Sequence, residues 1–411
     1  SMANSFFTVA AISKELVRLM ENDLVLGKSV GTDNLENETV KSGGSVKVRR
    51  QMQYLGQDNN LDLSAFSEDI TEGTVTVTLD QTWSNKVSIS AIDRTLSFDR
   101  YSQQILQPMA RRAAEKIEAS IAALYPAFYW FDGTPGTIPA TYSAVADAGA
   151  IFTDGGNTIS GRLGFHSPAC SAKLAALIQG TYVDGNNKKA LEMAKVGRYA
   201  GFDNYETVFA PTHTVGPLGG TPLINGGAQA VTYAAAKDTW SQSLITDGWT
   251  AAAAARLNAG DVFTLPTVFA VNPNTKQSTG RLQTFTVLSN ASSDGSGNAT
   301  LTISPPMIIS GAFQTVTNAP ADNAALTIKT GTAATAYRQS LLIDPQAIAL
   351  VSRPLDIPSG EGLKTSTVSG EHVTMSVSSW VDGNTLAENM RFDMLWKPIV
   401  LDPRRGMRLT N

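Results

Sequence analysis

Between Ser97 and Tyr125 the chain reads SFDRYSQQILQPMARRAAEKIEASIAALY, and its apolar positions step by three or four: Leu106, Met109, Ala113, Ile117, Ile121 and Leu124. That spacing predicts one long helix with an apolar stripe, while Arg111, Arg112, Glu115, Lys116 and Glu118 fall elsewhere on the cylinder, toward water. Asp99 is the expected N-cap, and at about 1.5 Å per residue a helix from there to Tyr125 would be on the order of 40 Å long. Pro108 predicts a kink within it, because proline removes a backbone donor and crowds the preceding turn. Val9, Ile12, Leu16, Leu19 and Met20 repeat the helical spacing, so a shorter amphipathic helix is expected from Val9 to Leu24, with Gly27 offering a stop.

Elsewhere the period changes to two. Ser45 to Tyr54 (SVKVRRQMQY) and Thr74 to Ile92 (TVTVTLDQTWSNKVSISAI) alternate, joined by the polar, acidic GQDNNLDLSAFSEDITEG, which predicts a long antiparallel hairpin. The glycine-punctuated GKSVGTDNLENETVKSGGS ahead of it reads as an extended arm. The hairpin's charges are segregated, with Lys47, Arg49 and Arg50 on the first strand and Asp58, Asp62, Glu68, Asp69 and Glu72 toward the tip. In a monomer this is a solvated hairpin. In an assembly it would set one subunit's basic strand against an acidic neighbour, which makes Lys47, Arg49, Arg50, Asp58, Asp62, Glu68 and Asp69 the candidate interface residues.

Further on, Tyr142 to Asn157 predicts a short helix and Arg162 to Phe165 a buried strand. Ser167 and Pro168 supply the cap and first residue of a helix to about Gln179. Past Pro217 a Gly/Pro-rich boundary opens a run of short β patterns, read as an antiparallel β-barrel over residues 227 to 336 that would fold when excised. Within it Ala251 to Ala255 is expected as strand despite alanine's helix propensity, Leu257 to Asp261 as a turn and Val262 to Leu265 as the returning strand. QSLLIDPQAIALVSRP then resumes the mixed pattern, so the barrel reads as an insertion, and VTMSVSSWVD and NMRFDMLWKPIVLDP are two strands built to pair.

Of the 411 residues 42% are hydrophobic, enough for genuine cores, and only 17% are charged, below the roughly 25% usual for soluble domains. A surface poor in charge points to partners. The net charge of -4 and the absence of any basic run beyond a pair such as Arg49-Arg50 argue against a surface that grips nucleic acid. The single Cys170 excludes an intrachain disulfide and a cysteine-built zinc site, and no stretch approaches a membrane span. No catalytic or cofactor signature survives: there is no helical His-Glu-x-x-His, no dinucleotide fingerprint and no calcium loop. His166 lies near Cys170, but a thiol on an alanine-rich helix reads as a packing residue, and His213 and His372 stand in unrelated contexts. The expectation is a non-enzymatic protein without cofactor or metal.

The order of parts, and the strings FHSPACSAKLAALI, YAGFDNYETVFAP, LNAGDVFTLPTVFAVNP, LLIDPQAIALVSRPL and MRFDMLWKPIVLDPRRGMRL, resemble the major capsid proteins of tailed phages, in the branch of the phage P twenty-two coat protein with its inserted β-barrel. The resemblance implies an α+β fold of the Hong Kong 97 type. Its parts would be an N-terminal arm (3–40), an extended loop (41–82), a peripheral domain with the spine helix (83–139), an axial domain (140–226), the insertion (227–336) and a return to axial domain and peripheral strands (337–411). It implies self-assembly through pentamers and hexamers into an icosahedral shell that encloses double-stranded DNA without reading its sequence. It also implies a scaffolding protein and a portal as partners, no membrane, and assembly in the host bacterial cytoplasm. An encapsulin-like compartment would share the fold but not the insertion; a tail or adhesin component would suit the β-rich block but not the spine helix; a hydrolase would need a nucleophile and base that are not found.

Overall fold

The structure, a computed structural model, describes residues 9–31, 45–64, 66–68, 71–89, 102–179, 197–357, 360, 362–384 and 387–411. The chain forms two compact units: Ser1–Lys47, Thr76–Ala122 and Ile348–Ile399 make the first, Val48–Val75, Ala123–Ala347 and Val400–Asn411 the second.

In the first unit the helix Val9–Asp23 buries Val9, Ile12, Leu16 and Met20 of the face its periodicity marked, with Val17 buried as well and Leu19 only half-buried. The long helix is α-helical over Gln107–Ala122, preceded by a π-helical stretch Ser102–Leu106. The interruption that Pro108 predicts is thus a change of winding where the α-helix begins, which removes the conflict between its ring and the preceding carbonyls. The expected N-cap Asp99 lies outside the described residues. Leu106, Met109, Ala113, Ile117 and Ile121 are buried, and so, against expectation, is Glu118 at 3% exposure. Within the expected extended arm Leu26–Ser29 is a short helix and Gly31 bridges to Ala349, while residues 32–44 lie outside the described residues.

The unit's sheet turns on the strand Ala387–Val400. It pairs antiparallel with Thr374–Asp382, as expected, which in turn pairs with Lys364–Ser369. Ile348–Arg353 is a further neighbour. Its other partner corrects the hairpin: Gln81–Ile89 pairs with it in unbroken register from Trp396↔Gln81 to Glu388↔Ile89, and only Thr74–Thr78 pairs back to Ser45–Arg49. Trp396 Nε1 donates to Ser120 Oγ at 3.1 Å, tying the sheet to the long helix.

The second unit holds a seven-stranded mixed sheet, ordered Trp130–Asp132, Gly406–Thr410, Ala336–Ile343, Leu163–His166, Phe202–Glu206, Gly197–Tyr199, with Thr212–Thr214 also on Ala336–Ile343. Helix Pro168–Gln179 starts where its predicted cap stands, Ser167 Oγ accepting from Cys170 N, and Tyr142–Asp154 is capped by Thr141, whose Oγ1 accepts from Ala144 N. Val145, Phe152, Cys170, Leu174, Phe202, Leu342 and Met407 form one core.

The same unit contains a six-stranded antiparallel sheet ordered Thr327–Ile328, Val262–Val271, Ser278–Val287, Ala299–Ser304, Gln242–Trp249, Gly220–Ile224. Ile224 N donates to Ala324 O and Leu326 N to Pro222 O, so the two edges meet and the sheet closes around Leu244, Phe263, Leu265, Phe285, Val287, Leu301 and Ile303. Three details differ from the expectation. The first strand begins at Gly220, ahead of Gly227, and Ala336 opens a strand of the mixed sheet instead. Of the five alanines, Ala251 to Ala253 are bends, and strand begins at Ala254. That strand, Ala254–Leu257, pairs with Ala291–Ser293, whereas Val262–Val271 pairs with Ser278–Val287.

Candidate assembly surface

The hairpin leaves its unit through a narrow base. Arg50 N donates to Gly73 O at 2.7 Å, Thr74 N and Oγ1 both donate to Asp238 Oδ1, and Lys237 Nζ donates to Glu72 O at 3.2 Å. A Cβ on Gly73 would sit 2.2 Å from the Lys237 carbonyl oxygen, so only glycine permits this approach. Beyond the base, none of the described residues between Arg50 and Gly73 is in a strand, and the chain there is largely exposed.

The candidate charges do not form one surface. Lys47 is exposed on its strand. Arg49, 76% exposed, has Nη1 3.2 Å from Glu72 Oε2 of the same hairpin. Arg50 turns inward, its Nη2 3.4 Å from Asp238 O and its Nε buried without a partner, and burial pushes its pKa down. On the acidic side Asp58 is exposed, and Glu68 accepts from Leu55 N and Gly56 N, shaping its own loop. Asp62 accepts from Ser64 N, and the Ser64 hydroxyl and N–H hold its carboxyl below the usual range. Asp69 lies outside the described residues.

What the sequence reading missed is apolar. Tyr54, Leu55, Leu61 and Leu63 are 57%, 52%, 104% and 56% exposed, four large side chains within ten positions of loop, touching no core. The signal was present as Tyr-Leu where the first strand was expected to end and as Leu-Asp-Leu inside the linker classed as polar. Burying such a side chain is worth about 1.5–3 kcal/mol, against about 0–1 kcal/mol for an exposed ion pair, so any partner of this loop gains more from the leucines than from the charges.

Around His166 the second unit holds a buried cluster. His166 Nδ1 faces Ser340 Oγ at 2.9 Å and Cys170 Sγ at 3.7 Å, and Nε2 faces Asn204 Oδ1 at 2.8 Å. Asn204 Nδ2 is spent on backbone carbonyls, so its oxygen accepts and the imidazole proton sits on Nε2. Burial pushes the Cys170 thiol up and lowers His166 to about 4, so a neutral thiol and a neutral imidazole lie in a closed core. This is packing, as the sequence implied. The ordinary value of 6.5 belongs to the unfolded chain, which therefore binds more protons between pH 4 and 6.5. Stability should fall as pH drops through that window, by on the order of 3 kcal/mol in full. His166→Asn should flatten the acid limb of the urea midpoint against pH; an unchanged limb would assign acid loss elsewhere.

The other two histidines also have fixed partners: His213 Nε2 lies 2.8 Å from Asp261 Oδ1, and His372 Nδ1 2.9 Å from Glu21 Oε2. Among the described residues no His, Cys, Asp and Glu side chains cluster as metal ligands, and no helix is long and apolar enough to cross a membrane.

A solved structure from Mycobacterium phage Che8 aligns over 94% of this chain and 90% of its own, at 11% identity and a TM-score of 0.45. The CUS-3 coat protein I-domain aligns over all of its own length and 28% of this chain, at 27% identity and a TM-score of 0.20. The major capsid protein of Acyrthosiphon pisum secondary endosymbiont phage 1 is 24% identical over 407 residues, covering 94% of this chain and 93% of that protein. The family model described as "P22 coat protein - gene protein 5" matches residues 2–411. With effectively its whole length matched by that model, the chain belongs to the P22 coat protein family.

Proposed function

We propose that this protein is the major capsid protein of a tailed phage, whose activity is to tile a closed shell. The observation that carries the reading is the end-to-end family match, and the exposed leucines of the hairpin loop agree with it, since a free subunit gains nothing from holding Leu61 wholly in water. The protein is a virion component and not a member of an enzyme family.

The finer reading is that pentamers and hexamers form through the hairpin, with a scaffolding protein and a portal as partners, in the host cytoplasm, around double-stranded DNA. A net charge of -4 suits such an inner wall, since one that gripped phosphate would impede packing and release. Lys47 and Arg49 are the hairpin's charges offered to a neighbour, and the closed sheet that starts at Gly220 is an insertion that folds on its own.

Assembly of the purified chain, followed by sedimentation and negative-stain microscopy, tests this. Leu61→Ser with Leu63→Ser should leave the free subunit's unfolding midpoint unchanged, because neither side chain packs in the subunit, yet raise the critical concentration for shells roughly a hundredfold. Lys47→Ser with Arg49→Ser should change mainly the salt dependence of assembly. A chain that stays monomeric under every assembly condition would refute the capsid reading; shells from the double leucine variant at wild-type concentration would refute the hairpin's role alone.

A further inference from the structure

In the second unit a recess of about 30 Å³ is lined by Tyr129, Trp130, Trp240, Phe313 and Arg404, among others. That is room for one water-sized or halide-sized sphere. Trp130 and Trp240 are 7% and 2% exposed; the indole Nε1 of Trp130 is buried without a partner, and that of Trp240 has only the Tyr129 hydroxyl beside it. An indole N–H can only donate, and leaving one buried and unpaired is unfavourable. A Cβ built on Gly155, which also lines the recess, would lie 3.1 Å from Trp130 Nε1, so the N–H edge of that ring stands in the recess wall.

The charges nearby do not balance. Arg404 stands over the Trp240 ring at 5.1 Å and bonds one carboxylate, Asp402, at 2.9 Å. Arg50 and Lys276 crowd it, both with pKa values pushed down, first by burial and then in part by the Arg404 charge. Lys276 Nζ donates only to the Ala312 carbonyl, and Arg50 Nε has no partner. Asp238 is committed to Thr74 and Lys237, and Arg405 also draws on Asp402. Asp402 thus serves Arg404 and Arg405 and only distantly Arg50, and Lys276 has no carboxylate partner, beside the unused Trp130 donor.

We infer that the recess between Trp130, Trp240 and Arg404 binds one small monovalent anion, chloride in the cell. A water would satisfy the Trp130 indole but leave the charge, a cation would add to the excess, and phosphate or sulfate exceeds the space. The ion bears on the hairpin. Gln53, in the amide orientation its neighbours require, accepts from Arg404 Nη1 and donates to Ala312 O, both at 2.9 Å, and Arg50 lies at the hairpin base, so the anion neutralises the cluster on which that base is seated.

The test uses the full-length chain at fixed ionic strength. Replacing sodium chloride by sodium gluconate should lower the unfolding midpoint by ~2–3 °C, with a saturable dependence on chloride that bromide reproduces. Trp130→Phe and Trp240→Phe should each flatten that dependence. Because either variant could fold poorly, the wild-type protein supplies a second readout: crystals grown in sodium bromide should show an anomalous bromine peak in the recess. Equal midpoints in chloride and gluconate, a dependence that both variants retain, or a recess holding a water only, each overturns the assignment.

Discussion

Arg408→Met should lower the unfolding free energy of the full-length chain by about 3 kcal/mol at neutral pH, although the substitution removes a buried charge of similar volume. Arg408 is 0% exposed and touches no carboxylate. Its Nε donates to Phe128 O at 2.9 Å, Nη1 to Gly260 O at 2.7 Å and Nη2 to Thr286 Oγ1 at 3.1 Å, and the guanidinium lies 5.6 Å and 5.7 Å from the Tyr125 and Phe131 ring centres. One planar group thus joins the C-terminal strand, the turn after the long helix and the closed sheet. Methionine would relieve the desolvated cation but strand two buried carbonyls, each worth about 1–3 kcal/mol, and forfeit the ring contacts. Arg408→Lys should recover little, since an ammonium cannot reach three divergent acceptors. Burial lowers the Arg408 pKa from the ordinary guanidinium range to about 10, so the unfolded chain binds more protons only above about that value. The difference from wild type should therefore be flat from pH 5 to about 9. Urea unfolding with an unchanged slope measures it, and a loss below about 1 kcal/mol would show that the carbonyls find other donors.

The sequence made elements legible where their own pattern decides them. Ile12, Leu16 and Met20, or Ile117 and Ile121, are buried because helical spacing leaves them one face, and Ser167-Pro168 starts a helix because a hydroxyl and a missing N–H suit its first turn. Partners were legible only in part. Alternation gives a strand its two faces but not its neighbour, so Gln81–Ile89 read as the return of a local hairpin when its ladder lies against Ala387–Val400, closed by the Asp80–Lys397 ion pair at 2.7 Å. The alanines at 251–253 show the same limit, since neither helix nor strand propensity decides residues that bend between two elements. At the candidate surface the charges drew the eye, yet Glu68 is spent within its own loop and Arg50 at the hairpin's base. Leu61 and Leu63 were visible all along and lacked only the knowledge that nothing covers them.

Glu118→Ala should be as damaging as any change on the long helix, at about 3–5 kcal/mol, where a reading by apolar stripe would place it among tolerant positions. Ala110, Ala114 and Ala122 are buried as well, so the inward face is wider than the large residues mark, and Glu118 falls within it. There its Oε1 accepts from Val25 N and Gly27 N, both at 2.9 Å, and Oε2 from Leu26 N at 3.0 Å. The carboxylate takes the backbone donors that the short helix Leu26–Ser29 leaves open at its start, a task no residue of that segment performs. Alanine would leave three N–H groups unpaired, those of Leu26 and Gly27 buried and that of Val25 half-buried. Glu118→Gln should lose less, about 1–2 kcal/mol, because its oxygen can still serve Val25 and Gly27 while its NH2 opposes Leu26 N. Burial raises the Glu118 pKa above 4.5, with the three N–H groups opposing it, so between 4.5 and the raised value the folded chain binds more protons than the unfolded one. The carboxyl's contribution is complete below pH 4.5 and declines as pH rises through the folded value, so the gap between wild type and Glu118→Gln should widen on acidification. Amide exchange at Val25, Leu26 and Gly27 gives the local readout: fast exchange at all three in Glu118→Ala, and at Leu26 foremost in Glu118→Gln. Uniform protection in both variants would mean that the segment is held by packing and that the carboxylate is incidental.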